Sequence, residues 1–233
     1  MKNIIYEDND IIVVHKSGGI PVQTARLGQK DMVSMLKNYR AKKQEDLYIA
    51  VIHRLDQPVE GVLLFAKTKE AAAKLSSQSK ERDMDKYYHA VAYNQTGKLL
   101  QQGTEGTLTD FLLKDTKTNT SKVVNANTKN AKKATLQYKV ISIKDNLIML
   151  SIKLETGRHH QIRVQMANAG MPLIGDQKYG LKTMPPIKGV DRNVALCSVK
   201  IGFVHPKTNK KMEFEIEPEN KTFAIMQGCK DTF

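Results

Sequence analysis

Residues 50–67 read AVIHRLDQPVEGVLLFAK. The run VLLFA, residues 62–66, is continuously apolar and of strand length, which predicts a strand buried on both faces. AVIH, residues 50–53, predicts another strand, so RLDQPVEG becomes a loop between strands, with Asp56 in it. An isolated Asp in such a loop is most often a turn or capping residue, because its short side chain bonds nearby backbone N–H groups.

Working outward, IIYE and IIVVHK flank the turn-like DND and predict an opening hairpin. DMVSMLKNYRAKKQE places Val33, Leu36 and Tyr39 at helical spacing behind Asp31 as N-cap. KEAAAKLSSQSKER predicts a helix rich in Ala and Lys, and KYYHAVAY a strand. Residues 106 to 155 predict several more strands, the clearest being LQYKVISIK and LIMLSIKLE joined at Asp145-Asn146. Within that region LKDTKTNTSKVVNANTKNAKK lacks apolar periodicity and is expected to be a mobile surface excursion. A helix is predicted after Gly157, with Ile162, Met166 and Ala169 on one face and Gly170 at its C-terminus. ALCSVKIGFVHP and KMEFEIEP return the tail to strands. There is no internal repeat and no linker, so residues 1–233 are expected to form a single domain. Strands and helices do not alternate regularly, which points to an α+β fold with a large, mainly antiparallel sheet.

Hydrophobic residues at 40% and charged residues at 26% are ordinary globular composition and argue against disorder. The 37 Lys and Arg against 24 Asp and Glu leave a net charge of +13, which favours polyanionic partners without specifying a sequence. Lysines of the 114–133 segment and the run Tyr39-Arg40-Ala41-Lys42-Lys43 are the candidate phosphate contacts. Cys197 and Cys229 stand far apart, so neither a disulfide framework nor a cysteine zinc site is expected. The start, MKNIIYEDND, is not that of a signal peptide, and no apolar run has membrane-spanning length; a soluble cytoplasmic protein without membrane contact is expected. GxGxxG, GxxxxGK[ST] and HExxH are absent, which removes the commoner phosphate-loop and zinc-protease chemistries.

His53-Arg54-Leu55-Asp56 resembles the HRLD signature of the RluA-type pseudouridine synthases, and VIHRLDQPVEGVLLFAKT follows that family's motif through its strand. The resemblance continues in IIYEDNDIIVVHKSGGIPV, in LETGRHHQIRVQMANAGMPLIGDQKYG and in ALCSVKIGFVHP, and so covers nearly the whole chain. It implies the pseudouridine synthase fold, a large mixed sheet with flanking helices and loops. The implied activity is that of an isomerase acting on uridine in ribosomal or transfer RNA. Such a reaction needs no redox equivalents and no energy source, so no cofactor and no metal is expected, and the protein is expected to be a monomer.

The resemblance assigns Asp56 as catalytic carboxylate, either as nucleophile or as base at the ribose 2′ position. A carboxylate in a water-poor site stays ionised only beside a compensating cation, and the family's matching arginine is Arg163. Lys86-Tyr87-Tyr88 matches the K-x-Y segment, which makes Tyr88 the active-site tyrosine, with its ring available to an unstacked uracil. Arg54 is implied to lie against RNA near the flipped nucleotide. Arg158, His160 and Gln161 belong to a segment used for structure and RNA contact. His53 is grouped with these substrate residues, although a hydrogen-bonded structural histidine is its plainer reading, as it is for His205. A metal at His159 and His160 is not expected, because adjacent side chains on a helix diverge.

Three departures stand out. Val59-Glu60-Gly61 replaces the family's Thr-Ser-Gly, Gln165 replaces a common histidine, and Ser17 a proline. The N-terminal ribosomal-protein-like RNA-binding domain of many relatives is expected to be missing. A noncatalytic RNA-binding protein would be favoured had Asp56 or Arg163 been replaced; both are present. A glycoside hydrolase would need two carboxylates flanking the bond, and only Glu60 lies near Asp56 in sequence.

Overall fold

The computed structural model describes residues 3–26, 28–181 and 187–227. The predicted hairpin is β1 (Ile4–Glu7) and β2 (Ile11–Lys16), and the first helix is α1 (Met32–Lys42). A capping box starts α1: Asp31 accepts from the Ser34 N–H while the Ser34 hydroxyl accepts from the Asp31 N–H. β3 (Ala50–Val51) and β4 (Glu60–Ala66) flank the loop that carries Asp56, and all seven residues of β4 are buried. α2 (Lys69–Glu81) is capped by Thr68 and leads to β5 (Asp85–Tyr93). Then come β6 (Glu105–Asp115), β7 (Thr120–Val124), β8 (Lys132–Lys144), β9 (Leu147–Leu154) and α3 (Gln161–Asn168). The chain continues through β10 (Leu196–Val204), β11 (Lys211–Glu215) and α4 (Lys221–Gln227).

Two compact units divide these elements, one formed by Met1–Lys86 with Ser198–Pro218, the other by Tyr87–Cys197 with Glu219–Phe233. In the first, β2 lies between β1 and β4, β10 from Ser198 follows β4, and β11 pairs with β10. β3 adds a short antiparallel bridge to the end of β4. Strand alternation sends Ile11, Val13, Val62 and Leu64 to one face, where Leu75 of α2 and Phe203 of β10 complete a core. Ile12, Val14, Leu63 and Phe65 on the opposite face are equally closed to solvent. Burial of each large apolar side chain contributes about 2 kcal/mol.

The second unit orders its strands β5, β9, β8, β6, β7, each neighbouring pair antiparallel. Val164 of α3 packs on Leu112 of β6 and Ala134 of β8, with Val123 and Tyr179 alongside.

Two expectations are corrected. The 113–133 segment is no loose excursion: β7 lies inside it and pairs with β6 from Asp115↔Thr120 to Phe111↔Val124. The turn between them is built by the Asp115 carboxylate, which accepts the N–H groups of Lys117 and Thr118, and by Asn119 in the left-handed region. The helix after Gly157 begins at Gln161, because His160 adopts a left-handed φ of 53° that no helix continues through. Gly170, with φ 76°, lies just beyond its end, as a left-handed C-terminal glycine does. The tail forms strands in both expected segments, as β10 and β11, and α4 follows them.

Candidate active site

The HRLD loop is set by an exchange of hydrogen-bond partners. β3 ends at Val51, and the His53 imidazole takes over as acceptor on β4: its Nε2 receives the Leu64 N–H at 3.2 Å. An acceptor nitrogen carries no proton, so the ring is neutral. Burial, reinforced by the nearby Lys86 charge, pushes its pKa down to about 3. His53 therefore acts structurally at physiological pH. Beyond it the loop alternates: Arg54 is exposed, Leu55 is buried as an anchor, and Asp56 is half-buried. A turn closes where the Val59 N–H donates to the Asp56 carbonyl at 3.0 Å. Gly61 then takes φ +136°, and a Cβ there would collide with the backbone of Ser198.

Lys16, at the end of an otherwise apolar strand, holds this loop from beneath. Its side chain is closed to solvent, and its ammonium donates to the carbonyls of Ser17, Ile20 and Gln57 at 3.2, 2.7 and 3.1 Å. The Gln57 backbone carbonyl also accepts from the Gly19 N–H, and the Gln57 side chain donates to the Gly19 carbonyl. Residues 17–20 and the residue after Asp56 are thus bolted together. Burial lowers the Lys16 pKa to about 8, against the carboxylates of Asp56 and Glu60, which raise it. Glu60, the departure in this loop, is itself buried.

In the second unit, strand alternation separates the two tyrosines as expected. Tyr87 stands opposite Lys153, whose ammonium lies 5.5 Å from its ring centre, while Tyr88 stands opposite Ile152 and is buried. Arg163, in the first turn of α3, is buried and makes a two-pronged contact with Asp176, Nε to Oδ2 at 2.7 Å and Nη2 to Oδ1 at 2.8 Å. Burial raises the Asp176 pKa, but hydrogen bonds and charge from Arg163, with the N–H groups of Lys178 and Tyr179, outweigh it and leave the net below the usual carboxylate value. The Tyr179 ring faces the guanidinium at 5.2 Å.

Gln161 is buried, and both ends of its amide are engaged within the protein. Nε2 donates to the Thr135 carbonyl, while Oε1 accepts from the Thr156 hydroxyl and the Arg158 N–H. Arg158 Nε donates to the Lys133 carbonyl. His159 and His160 precede α3 and do not diverge; their rings stack at 3.8 Å, a consequence of the left-handed turn. Gln165, fully buried, donates from Nε2 to the Asp110 carboxylate at 2.7 Å.

The candidate phosphate contacts separate into two kinds. Arg40 is buried, donates to the carbonyls of Tyr48 and Lys67 and lies 3.4 Å from the Glu45 carboxylate, and Lys43 pairs with Glu7 and Glu45, so both charges are matched internally. Lys122, Lys132 and Lys133 are exposed on β7 and the start of β8. Asp8, Asp10 and His205 bring oxygen and nitrogen atoms within 4.8 Å of one another. His205 Nδ1 accepts the N–H groups of Lys207 and Thr208, so Nε2 carries the proton, 2.8 Å from Asp8. Both ring nitrogens are thereby occupied, and the cluster is a structural clasp. Cys197 is buried, and Cys229 lies outside the described residues. Among the described residues no helix is long and apolar enough to cross a membrane.

Sequence reasoning passed over Lys16, Asp176 and Tyr179. The signal for Lys16 was a lysine ending an apolar strand; for the other two it was GDQKYG, quoted for its resemblance but given no role.

Comparison with known proteins gives consistent matches. Residues 10–168 match the RNA pseudouridylate synthase family. Ribosomal large subunit pseudouridine synthase C of Buchnera aphidicola is 30% identical over 215 residues, covering 91% of this chain and 66% of that protein. The uncharacterized RNA pseudouridine synthase YlyB of Bacillus subtilis is 33% identical over 221 residues, covering 91% of this chain and 68% of that protein. The chain thus spans about two thirds of the length of these relatives. Among solved structures, human RNA pseudouridylate synthase domain containing 4 superposes with a TM-score of 0.75 at 19% identity, over 94% of this chain and 89% of that one. The fold is therefore the α+β fold of the pseudouridine synthases.

Proposed function

The chain belongs to the RNA pseudouridylate synthase family, and on that premise we propose that it isomerises uridine in RNA to pseudouridine with Asp56 as catalytic carboxylate. The observation that carries this is the family match over residues 10–168, a span that contains Asp56, Tyr88 and Arg163. In the reaction the bond between C1′ of the ribose and N1 of uracil breaks, the base turns, and C1′ bonds to C5. The C5 proton departs and N1 gains one, so the product is an isomer and no cofactor is consumed.

Asp56 serves as nucleophile, or as base at the 2′ position. The Lys16 clasp supports either role, since it fixes the loop that carries the carboxylate. Tyr88 offers its ring to the detached uracil and its hydroxyl to the C5 proton, and Arg163 supplies the cation that the carboxylate needs. Arg54 and Arg158 contact RNA, and the neutral His53 and buried His160 and Gln161 shape the segments beside them. Residues 1–233 act as one catalytic domain, as a monomer in the cytoplasm. Ribosomal RNA is the favoured substrate over transfer RNA, because the Buchnera relative is a ribosomal large subunit pseudouridine synthase.

The test is a map of pseudouridines in ribosomal and transfer RNA from cells with and without the gene, completed by restoring the modification with purified protein. One or a few sites should disappear and return. An unchanged map, with no pseudouridine made in vitro, contradicts the assignment.

A further inference from the structure

Arg163 is not a cation on a free stem. It is buried in the first turn of α3, and the edge of its guanidinium formed by Nε and Nη2 is clamped by the Asp176 carboxylate at 2.7 and 2.8 Å. Such two-pronged pairs fix the guanidinium plane as well as its position. Asp176 is fixed in turn: its side chain is fully enclosed, and Oδ1 also accepts the N–H groups of Lys178 and Tyr179 at 2.9 and 3.1 Å. The turn that supplies those N–H groups places the Tyr179 ring 5.2 Å from the guanidinium carbon.

Tyr179 is tied down at its far end. Its hydroxyl accepts the Ser121 N–H of β7 at 2.7 Å and lies 2.8 Å from Nδ1 of His160, the residue just before α3. The residues that hold the arginine are therefore themselves tied to the 176–179 turn, to β7 and to the residue before α3. The clamp on Nε and Nη2 fixes the plane of the guanidinium, and with it the direction of the Nη1 and Nη2 edge.

We propose that Asp176 and Tyr179 are positioning residues that orient Arg163 for catalysis, Asp176 by clamping one edge of the guanidinium and Tyr179 by fixing the plane and anchoring the turn to β7. This rests on the reading of Arg163 as the catalytic carboxylate's partner. Two consequences follow. Because Asp176 sets the direction in which Arg163 presents its charge, loss of the clamp lowers turnover rather than RNA affinity. Because the clamp acts only through Arg163, its removal matters little once the arginine is no longer there to be held.

The experiment compares Asp176→Asn, Tyr179→Phe, Arg163→Lys and the double variant Asp176→Asn/Arg163→Lys in the full chain. Single-turnover pseudouridine formation, RNA binding and thermal unfolding are measured for each. Asp176→Asn should lower the rate by about a hundred-fold, as displacement of a catalytic group by about 1 Å does, with RNA affinity within about two-fold of wild type. Tyr179→Phe keeps the ring, loses only the two contacts of the hydroxyl, and should lower the rate less, about three- to ten-fold. In the double variant, Asp176→Asn should add less than about three-fold to the defect of Arg163→Lys, the mark of residues acting as a unit. A purely structural Asp176 would give a full, multiplicative loss in the double variant, and that result overturns the proposal. If Asp176→Asn does not fold, Tyr179→Phe decides: a wild-type rate overturns the proposal, and a lowered rate with unchanged affinity supports it. If Arg163→Lys turns over at the wild-type rate, the catalytic reading of Arg163 falls and the proposal with it. If Arg163→Lys is impaired and Asp176→Asn is not, only the proposal falls.

Discussion

Replacing Lys16 by Met tests whether a buried ammonium underlies the Asp56 loop. In the wild type the ammonium is closed to solvent and its pKa falls from the ordinary 10.5 to about 8. At about 1.4 kcal/mol per tenfold, holding that charge in the folded protein costs about 3 kcal/mol below pH 8. Methionine has nearly the same length and removes this term, but it leaves the carbonyls of Ser17, Ile20 and Gln57 without their donor, at about 1 kcal/mol each. The two effects offset, so at pH 7 the variant should lie within about 1 kcal/mol of the wild type. The pH dependence separates them. Between pH 8 and 10.5 the unfolded chain binds more protons at this lysine than the folded one, so its contribution to stability rises with pH. Wild type should therefore gain about 2–3 kcal/mol on the variant between pH 7 and pH 10. Urea unfolding of both proteins at pH 7, 8, 9 and 10 measures this, and titrations common to both cancel in the difference. A difference that stays flat over that range refutes the buried, depressed lysine.

Other outcomes follow from the same geometry. Gly61→Ala places a Cβ against the Ser198 backbone at φ +136°, costing about 3 kcal/mol and lowering Tm by about 6–12 °C in a scanning unfolding experiment; an unshifted Tm contradicts the close approach. Replacing the exposed Lys132 and Lys133 by Ala should reduce the salt dependence of RNA binding by about 0.7 per contact in log–log slope. Lys43→Ala should leave that slope alone, because Lys43 already pairs with Glu7 and Glu45. Tyr88→Phe should retain RNA affinity and lose most product formation, whereas Tyr88→Leu should also weaken capture of the base; a normal Leu variant shows that the wrong tyrosine has been named.

Much of the framework was legible because local patterns agreed with burial. The continuous run VLLFA is β4, closed on both faces, and the Asp31 and Thr68 caps start the helices that the spacing predicts. β7 escaped notice because three of its five residues are polar: its stability comes from the ladder to β6 and from the turn at Asp115, which periodicity does not record. The start of α3 was misplaced because a non-glycine residue, His160, takes a left-handed conformation, held by its contact with Tyr179. For the candidate site, motif resemblance proposes Asp56, Tyr88 and Arg163, but Lys16 and Asp176 make their contacts 41 and 13 residues away in sequence. Spacing rules do not reach that far, and only the folded chain brings those partners together.

The central claim is tested most directly by Asp56→Asn, which keeps the shape of the side chain and removes its charge and its nucleophilic oxygen. Purified wild-type and variant proteins are incubated with the RNA that the wild type modifies, and pseudouridine is quantified alongside RNA binding and thermal unfolding. The variant should fold and bind RNA as the wild type does, yet form no pseudouridine. Product formation by a folded Asp56→Asn protein at a rate near that of the wild type contradicts the account.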